Sequence, residues 1–403
     1  MTGPGSAKWL AIDFGTCYSC AVRSLGGRFD ILSDPIEHRY VIPSSVLRTP
    51  DGGFLIGHEA EDQRLRWPDR YQGEFKREFG GANPLPMGDR EFTPEALVTE
   101  ILRYFKREAE DGGETIDAVV LTVPVSYGEH RRKLMLGAGR DAGFKQVSLI
   151  DEPVAAVLAP GPDNRTGDGL MLVYDLGGGT FDIALVQLDG STHSVHGADG
   201  DPTIGGLNFD RAIERDLKER GTADPPLSWV SENAIPGSAD RLHAAELQRR
   251  ARSFCRRAKH HLSRSERFDE ELQVDGNRLH YELTRIELSQ LVHADLSRTL
   301  HQCRQLLEDA GVTVDDLDRV VLVGGSCRLP FVAERIAAEL TPRVQRLPEP
   351  ELAVCLGAAA AYSGVPSSDI SKQGESAPAD KPALRAPGGA NLPSWAHVKR
   401  VTD

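Results

Sequence analysis

Two short segments about 160 residues apart carry the same order of chemistry-bearing residues. Trp9-Leu-Ala-Ile-Asp13-Phe-Gly15-Thr16 ends an apolar run on a carboxylate, followed by a glycine and a hydroxyl. Met171-Leu-Val-Tyr-Asp175-Leu-Gly177-Gly178-Gly179-Thr180 repeats that order. A glycine turn has no Cβ, so its backbone N–H groups can close on an anion. Gly15, Thr16 and Cys17 therefore form one candidate phosphate cradle, and Gly177 to Thr180 a second. Asp13 and Asp175, each ending a strand, can hold the waters of a hydrated magnesium ion. One such turn alone could still be a plain hairpin with a flexible turn, the lesser reading. Two copies in the same Asp-x-Gly order imply two related lobes with a phosphate chain clamped between them.

A third glycine pair lies in Val320-Val-Leu-Val-Gly324-Gly325-Ser326-Cys327-Arg328-Leu-Pro330, after a buried strand and before a helix. Adenosine could lie flat on these glycines, with Arg328 stacking on or bonding to the base. An arginine ahead of a helix is also an ordinary solvated residue.

Other patterns carry less. The P-loop pattern G-x-x-x-x-G-K-[ST] is absent from the sequence, and Gly137-Ala-Gly139-Arg-Asp-Ala-Gly143 lies in a helical stretch with no strand before it. It is read as structural. His260 and His261 stand on a basic helix without the acidic or cysteine neighbours of a metal site. Cys17 and Cys20 form a C-x-x-C with no second pair, and read as small residues of a hairpin.

These residues need strands and helices to position them. Short Val/Ile/Leu-rich runs predict strands at Trp9 to Ile12, Val119 to Val123, Leu170 to Tyr174, Ile183 to Gln187 and Val320 to Val323. Helical periodicity predicts Pro94 to Glu110, Glu129 to Ala142, Phe209 to Arg220, Ala239 to Ser263, Thr284 to Ala310 and Pro330 to Leu340. The alternation is that of an α/β protein. The chain has 403 residues and a formal net charge of -13, which argues against nucleic acid as a partner. No apolar run is long enough to span a bilayer, and no basic, apolar leader opens the chain, so a cytoplasmic monomer is expected. Residues 1–7 are expected to be flexible. Residues 365–403 are rich in Pro, Ser and Ala and are expected to form a disordered tail too short for a β-sandwich substrate-binding domain.

Together the motifs resemble the ATPase superfamily of actin, hexokinase and heat-shock chaperones. In detail they are similar to the nucleotide-binding part of the seventy-kilodalton (DnaK-like) heat-shock chaperones, over about residues 8–364. Besides the two turns, the resemblance rests on Leu121-Thr-Val-Pro124, Ile150-Asp-Glu152-Pro153, Ile204-Gly205-Gly206 through Phe209-Asp210, Arg257-Ala-Lys259-x-x-Leu-Ser263 and Pro350-Glu351-x-Ala-Val-x-x-Gly357. It implies a two-lobed, actin-like α/β fold made of duplicated ribonuclease-H-like lobes around a central nucleotide cleft. Lobe I would span 8–165, completed by 348–364, and lobe II 166–347.

The resemblance also implies slow hydrolysis of ATP to ADP and phosphate with Mg²⁺, coupled to a protein partner or co-chaperone. Lys76 would reach the γ-phosphate and Glu152 would position or deprotonate the attacking water, with Asp175 and Thr180 completing the catalytic set. Asp182 would stand nearby as polar support. Nucleotide contacts would come from Asp13, Gly15, Thr16, Cys17, Tyr18, Gly177, Gly178, Gly179, Thr180, Gly205, Gly206, Arg256, Lys259, His260, Ser263, Gly324, Gly325, Ser326, Arg328 and Glu351. Pro124 and Arg132 match the switch and relay that report nucleotide state. The family usually has Glu and Arg where this chain has Arg256 and His260, so a weaker adenosine grip is expected. Cys17 and Leu207-Asn208 also depart from the pattern. A sensor without turnover, a small-molecule kinase and a filament-forming relative remain alternative functions.

Overall fold

The computed structural model describes residues 8–25, 28–35, 39–159, 168–190, 192–223, 239–274 and 277–363. The expectations for residues 1–7 and 365–403 lie outside the described residues. β1 (Lys8–Phe14) and β2 (Tyr18–Leu25) form an antiparallel hairpin in which Asp13 faces Cys20. β3 (Arg28–Ile31) extends it on one side. On the other side β4 (Ala118–Val123) and β5 (Gln146–Asp151) add in parallel, giving the order β3-β2-β1-β4-β5.

The second sheet repeats this five-strand path; a short sixth strand, Ile42–Pro43, pairs with β2 in the first sheet alone. β6 (Gly169–Leu176), β7 (Phe181–Asp189) and β8 (Thr192–Asp201) are antiparallel neighbours, and β9 (Arg319–Val323) and β10 (Val344–Arg346) add in parallel beside β6. The order is β8-β7-β6-β9-β10, with Asp175 facing Asp182 as Asp13 faces Cys20. The duplication expected from the Asp-x-Gly repeat is thus present along the five-strand path of both sheets. Each of β1, β4, β6 and β9 buries nearly every residue, the pattern of strands covered on both faces.

Helices form where caps and apolar spacing agree. Thr93 caps the helix Pro94–Glu110 by accepting from the Ala96 N–H at 3.2 Å, and Pro94 occupies a first-turn position where no N–H partner is needed. The predicted helix from Thr284 to Ala310 is two helices, Arg285–Leu291 and His293–Asp309. The chain leaves helical geometry at Val292 (φ −101°, ψ 8°), and Val292 at the break and Leu288 one turn before it are both fully buried. Gly137 and Gly139 lie inside the helix Glu129–Asp141, in keeping with a structural role. Each sheet has its own apolar core, and a third core joins them through the helices Glu152–Val157 and Ala353–Ser363. No helix among the described residues is long and apolar enough to cross a membrane.

The two joining helices approach so closely that a Cβ on Gly357 would lie 1.7 Å from the Ala155 carbonyl oxygen. Backbone cannot yield as a flexible side chain does. Gly357→Ala is expected to destabilise the protein by about 2 kcal/mol or more through overpacking. A thermal melt checks it, and an unshifted midpoint would contradict the close packing.

Candidate active site

Each glycine turn is closed by the same hydrogen bond, from Gly15 N–H to the Tyr18 carbonyl and from Gly177 N–H to the Thr180 carbonyl, both 3.0 Å. Serine hydroxyls brace both from outside: Ser44 Oγ donates to the Gly15 carbonyl at 2.7 Å and Ser326 Oγ to the Gly177 carbonyl at 2.9 Å. The turns face each other across the cleft. A Cβ on Gly178 would sit 2.7 Å from the Cys17 Cβ, and one on Gly179 would sit 3.2 Å from Thr16. Arg77 from the first lobe donates to the Gly179 carbonyl at 2.9 Å. Gly178→Ala is expected to wedge the turns apart and weaken ATP binding by about tenfold or more. Calorimetry reads this directly; unchanged affinity would mean the turns do not share one ligand.

Between the turns, Lys76 Nζ donates to Glu152 Oε1 at 2.8 Å in a nearly buried pair. Lys76 comes from a single 3-10 turn (Phe75–Glu78) and Glu152 from the first residue of the helix that follows β5. The ammonium also lies 5.7 Å from the centre of the Phe14 ring. Burial alone would pull Lys76 down, but Glu152, Tyr127 and Asp13 outweigh it and hold the ammonium charged.

Three aspartates crowd the same place. Burial, with the charge of Glu152 added, pushes Asp13 up to about 6 against the pull of Lys76, and Thr122 donates to it at 2.6 Å. Burial and then Glu152 likewise push Asp182 up to about 6, opposed by a hydrogen bond from Thr180. Asp175 rises well above the carboxylate range through burial and the charges of Asp182, Glu152 and Asp13. Four carboxylates share one lysine, an excess of negative charge that suits a divalent cation. Among the described residues no three His, Cys, Asp or Glu side chains converge as direct ligands. Asp13 and Asp175, one from each lobe, are the candidates to hold such an ion through its waters.

On the nucleoside side the predicted residues are brought together but engaged with one another. Lys259 donates to the Gly206 carbonyl at 2.8 Å and pairs with Asp210 at 2.9 Å. Gly206 and Leu207 N–H groups in turn bond the carbonyls of Gly177 and Gly178, so the chain entering the helix Gly206–Arg220 rests on the second turn. Gly205 lies against Gly179. Arg256 reaches across the cleft and donates to the Tyr18 hydroxyl at 2.9 Å. Ser263 Oγ turns back to the His260 carbonyl at 2.7 Å. His260 is exposed as a residue, yet burial of its ring nitrogens and the neighbouring Lys259, Arg256, Arg39 and Arg264 push its imidazole down to about 3.

Arg328, expected to meet a base, is forked instead onto two carboxylates. It donates from Nε to Glu351 Oε2 at 2.9 Å and from Nη2 to Glu351 Oε1 at 2.6 Å, and it also pairs with Glu349. Gly324 (φ 85°) turns the chain here, its N–H on the Pro350 carbonyl at 3.0 Å, and Gly325 packs near Glu351. Cys17 and Cys20 do not pair: all six cysteines are free, and burial first raises Cys17 to about 12. Pro124 accepts from the Tyr127 N–H at 3.0 Å, and Arg132 donates to the Tyr127 carbonyl at 2.9 Å while pairing with Asp151, the residue before Glu152. That chain of contacts links β4 to the helix bearing Glu152.

Several partners escaped the sequence reading: Arg77, Thr122, Tyr127 and Glu349. Arg77 was adjacent to Lys76 in a basic pair, and Thr122 lay inside the Leu121-to-Pro124 segment, but single residues in such stretches carry no spacing signal of their own. The matched family segment begins after Lys76 and the first turn, yet the repeated sheet topology brings both to Glu152 and the second turn. With residues 83–373, well over half of its length, matching the family model described as Hsp70 protein, the chain belongs to the Hsp70 family.

Proposed function

We propose that this chaperone-like ATP-binding protein hydrolyses ATP slowly, using the Lys76–Glu152 pair, and signals its nucleotide state to a protein partner. The observation that carries the proposal is that pair, 2.8 Å apart and nearly buried amid three aspartates raised by burial and by the charge of Glu152. The phosphate chain would lie along the amides of Gly15 to Cys17 and Gly177 to Thr180. Lys76 would neutralise developing charge on the transferred phosphoryl group, and Glu152 would orient the attacking water and take its proton. A magnesium ion held through water by Asp13 and Asp175 would neutralise the phosphate oxygens when bound. Chemistry of this kind is mostly positioning, so the rigid turns matter as much as the charged groups. Pro124, Tyr127, Arg132 and Asp151 form the contact chain through which a docked partner would read the state of Glu152.

A sensor that binds without turnover is the second reading, favoured by the engagement of Arg256 with Tyr18 and of Arg328 with Glu351. Magnesium-dependent phosphate release from purified protein separates the two, and its absence would overturn the proposal of hydrolysis. The altered nucleoside side also predicts that Arg256→Glu with His260→Arg tightens ATP binding by about 1–3 kcal/mol, one charge-assisted hydrogen bond plus part of a stacking contact. Calorimetry on the double variant checks it; equal or weaker binding would refute it.

A further inference from the structure

We infer that Arg256 is a receptor for a phosphate on the ribose, so that the cleft prefers adenine nucleotides phosphorylated at the 2′- or 3′-hydroxyl over plain ADP or ATP. The inference rests on the reading of the cleft as a nucleotide site. Arg256 extends from the helix Ala239–Leu262 of one lobe to the Tyr18 hydroxyl, 2.9 Å away, just after the first glycine turn of the other. It therefore stands where a chain of phosphates leaving that turn would lead on to a sugar.

Its chemistry is one-sided. A guanidinium has five N–H donors and accepts nothing, and Tyr18 takes only one of them. Among the described residues no carboxylate lies within ion-pair distance of Arg256. The cations around it differ in this respect: Lys259 is neutralised by Asp210 at 2.9 Å, and Arg328 by Glu351 and Glu349. A ribose hydroxyl needs an acceptor for its proton, which Arg256 cannot supply. A phosphate brings acceptors only, and a planar fork of donors matches it in bidentate fashion. The same exchange of recognition chemistry, acid for a ribose hydroxyl and arginine for a ribose phosphate, separates nicotinamide dinucleotide sites from those for the phosphorylated form.

The surroundings agree. Lys259, Arg256, Arg39 and Arg264 all act on His260, whose imidazole they and its burial keep neutral. Four cations gather here, Lys259 among them already paired with Asp210, while Asp210 and Glu61 act on Arg256 only from beyond ion-pair distance. The His260 ring adds a neutral surface beside the guanidinium without competing for the anion. Tyr18, kept protonated above its usual range by burial, likewise brings no negative charge to the spot.

The test is calorimetry on the full chain with ADP, 2′-phospho-ADP and 3′-phospho-ADP, for wild type and Arg256→Gln, with magnesium. At least one ribose-phosphorylated probe is expected to bind wild type about tenfold or more tighter than ADP, a margin expected to be lost when each probe is compared with ADP on Arg256→Gln itself. Equal or weaker binding of both phosphorylated probes by wild type would overturn the inference and leave the cleft reading standing, as would a margin that survives in Arg256→Gln. Binding of none of the three probes would overturn it together with the cleft reading. The wild-type comparison alone decides the matter should the variant fold poorly.

Discussion

Replacing Lys76 by alanine is expected to cut ATP turnover by on the order of 10² or more while leaving ATP affinity within a few fold. The split follows from where Lys76 sits. Its ammonium lies on Glu152 at 2.8 Å and is held charged against burial by Glu152, Tyr127 and Asp13, so it sits among the groups assigned to the reacting end of the phosphate chain. The many backbone amides of the two turns, with the closing bonds of Gly15 and Gly177 intact, would still bind the phosphates. Removing the lysine also takes from Glu152 the partner that holds its carboxylate in place at 2.8 Å, so its hold on the attacking water should loosen. Steady-state phosphate release and calorimetry on the same preparation check this. Equal losses of binding and turnover would place Lys76 in ground-state binding instead.

The second large effect concerns pH. Asp13 and Asp182 stand near about 6 in the folded protein, above the usual carboxylate value of 3.8. A magnesium ion held through Asp13 needs that carboxylate ionised, so magnesium-dependent turnover is expected to fall by about tenfold between pH 7 and pH 5. Stability runs the other way. A carboxylate raised on folding binds its proton more tightly folded than unfolded, so its contribution is fully present below about pH 4 and is lost as pH rises through about 6. Without magnesium, Asp182→Asn should therefore raise the melting temperature at pH 7.5 and leave it unchanged at pH 4. The variant is compared with wild type at each pH because His260, pushed down to about 3, contributes in the opposite sense as pH falls below the ordinary imidazole range. A variant that melts lower than wild type at pH 7.5 would contradict the picture of crowded, mutually repelling carboxylates.

What the sequence disclosed follows from which interactions are local. The Asp-x-Gly repeat was legible because each turn needs its own glycine and its own strand-ending carboxylate, and the five predicted strands were legible because burial on both faces leaves continuous apolar runs. β8 was not legible. It lies at a sheet edge with most of its residues exposed, so Thr192–Asp201 lacks any apolar alternation. The paired strands Arg267–Val274 and Asn277–Thr284 were missed because their buried residues, such as Leu279, Tyr281 and Leu283, alternate with polar ones instead of forming the continuous apolar runs that marked the other five. The break at Val292 was hidden because the apolar spacing continues through it.

At the site, types and positions were legible and pairings were not. Nothing in the local pattern says that Arg256 crosses to Tyr18, 238 residues away, or that Arg328 folds back on Glu351. Such contacts depend on how the two lobes meet, which no local periodicity encodes.

The central claim is tested most directly by Glu152→Gln, which keeps the size of the side chain and removes its charge. Single-turnover phosphate release with magnesium should be readily seen in wild type and slowed by on the order of 10² or more in the variant, with ATP affinity preserved. No magnesium-dependent release from wild type, or an undiminished rate in Glu152→Gln, would contradict it.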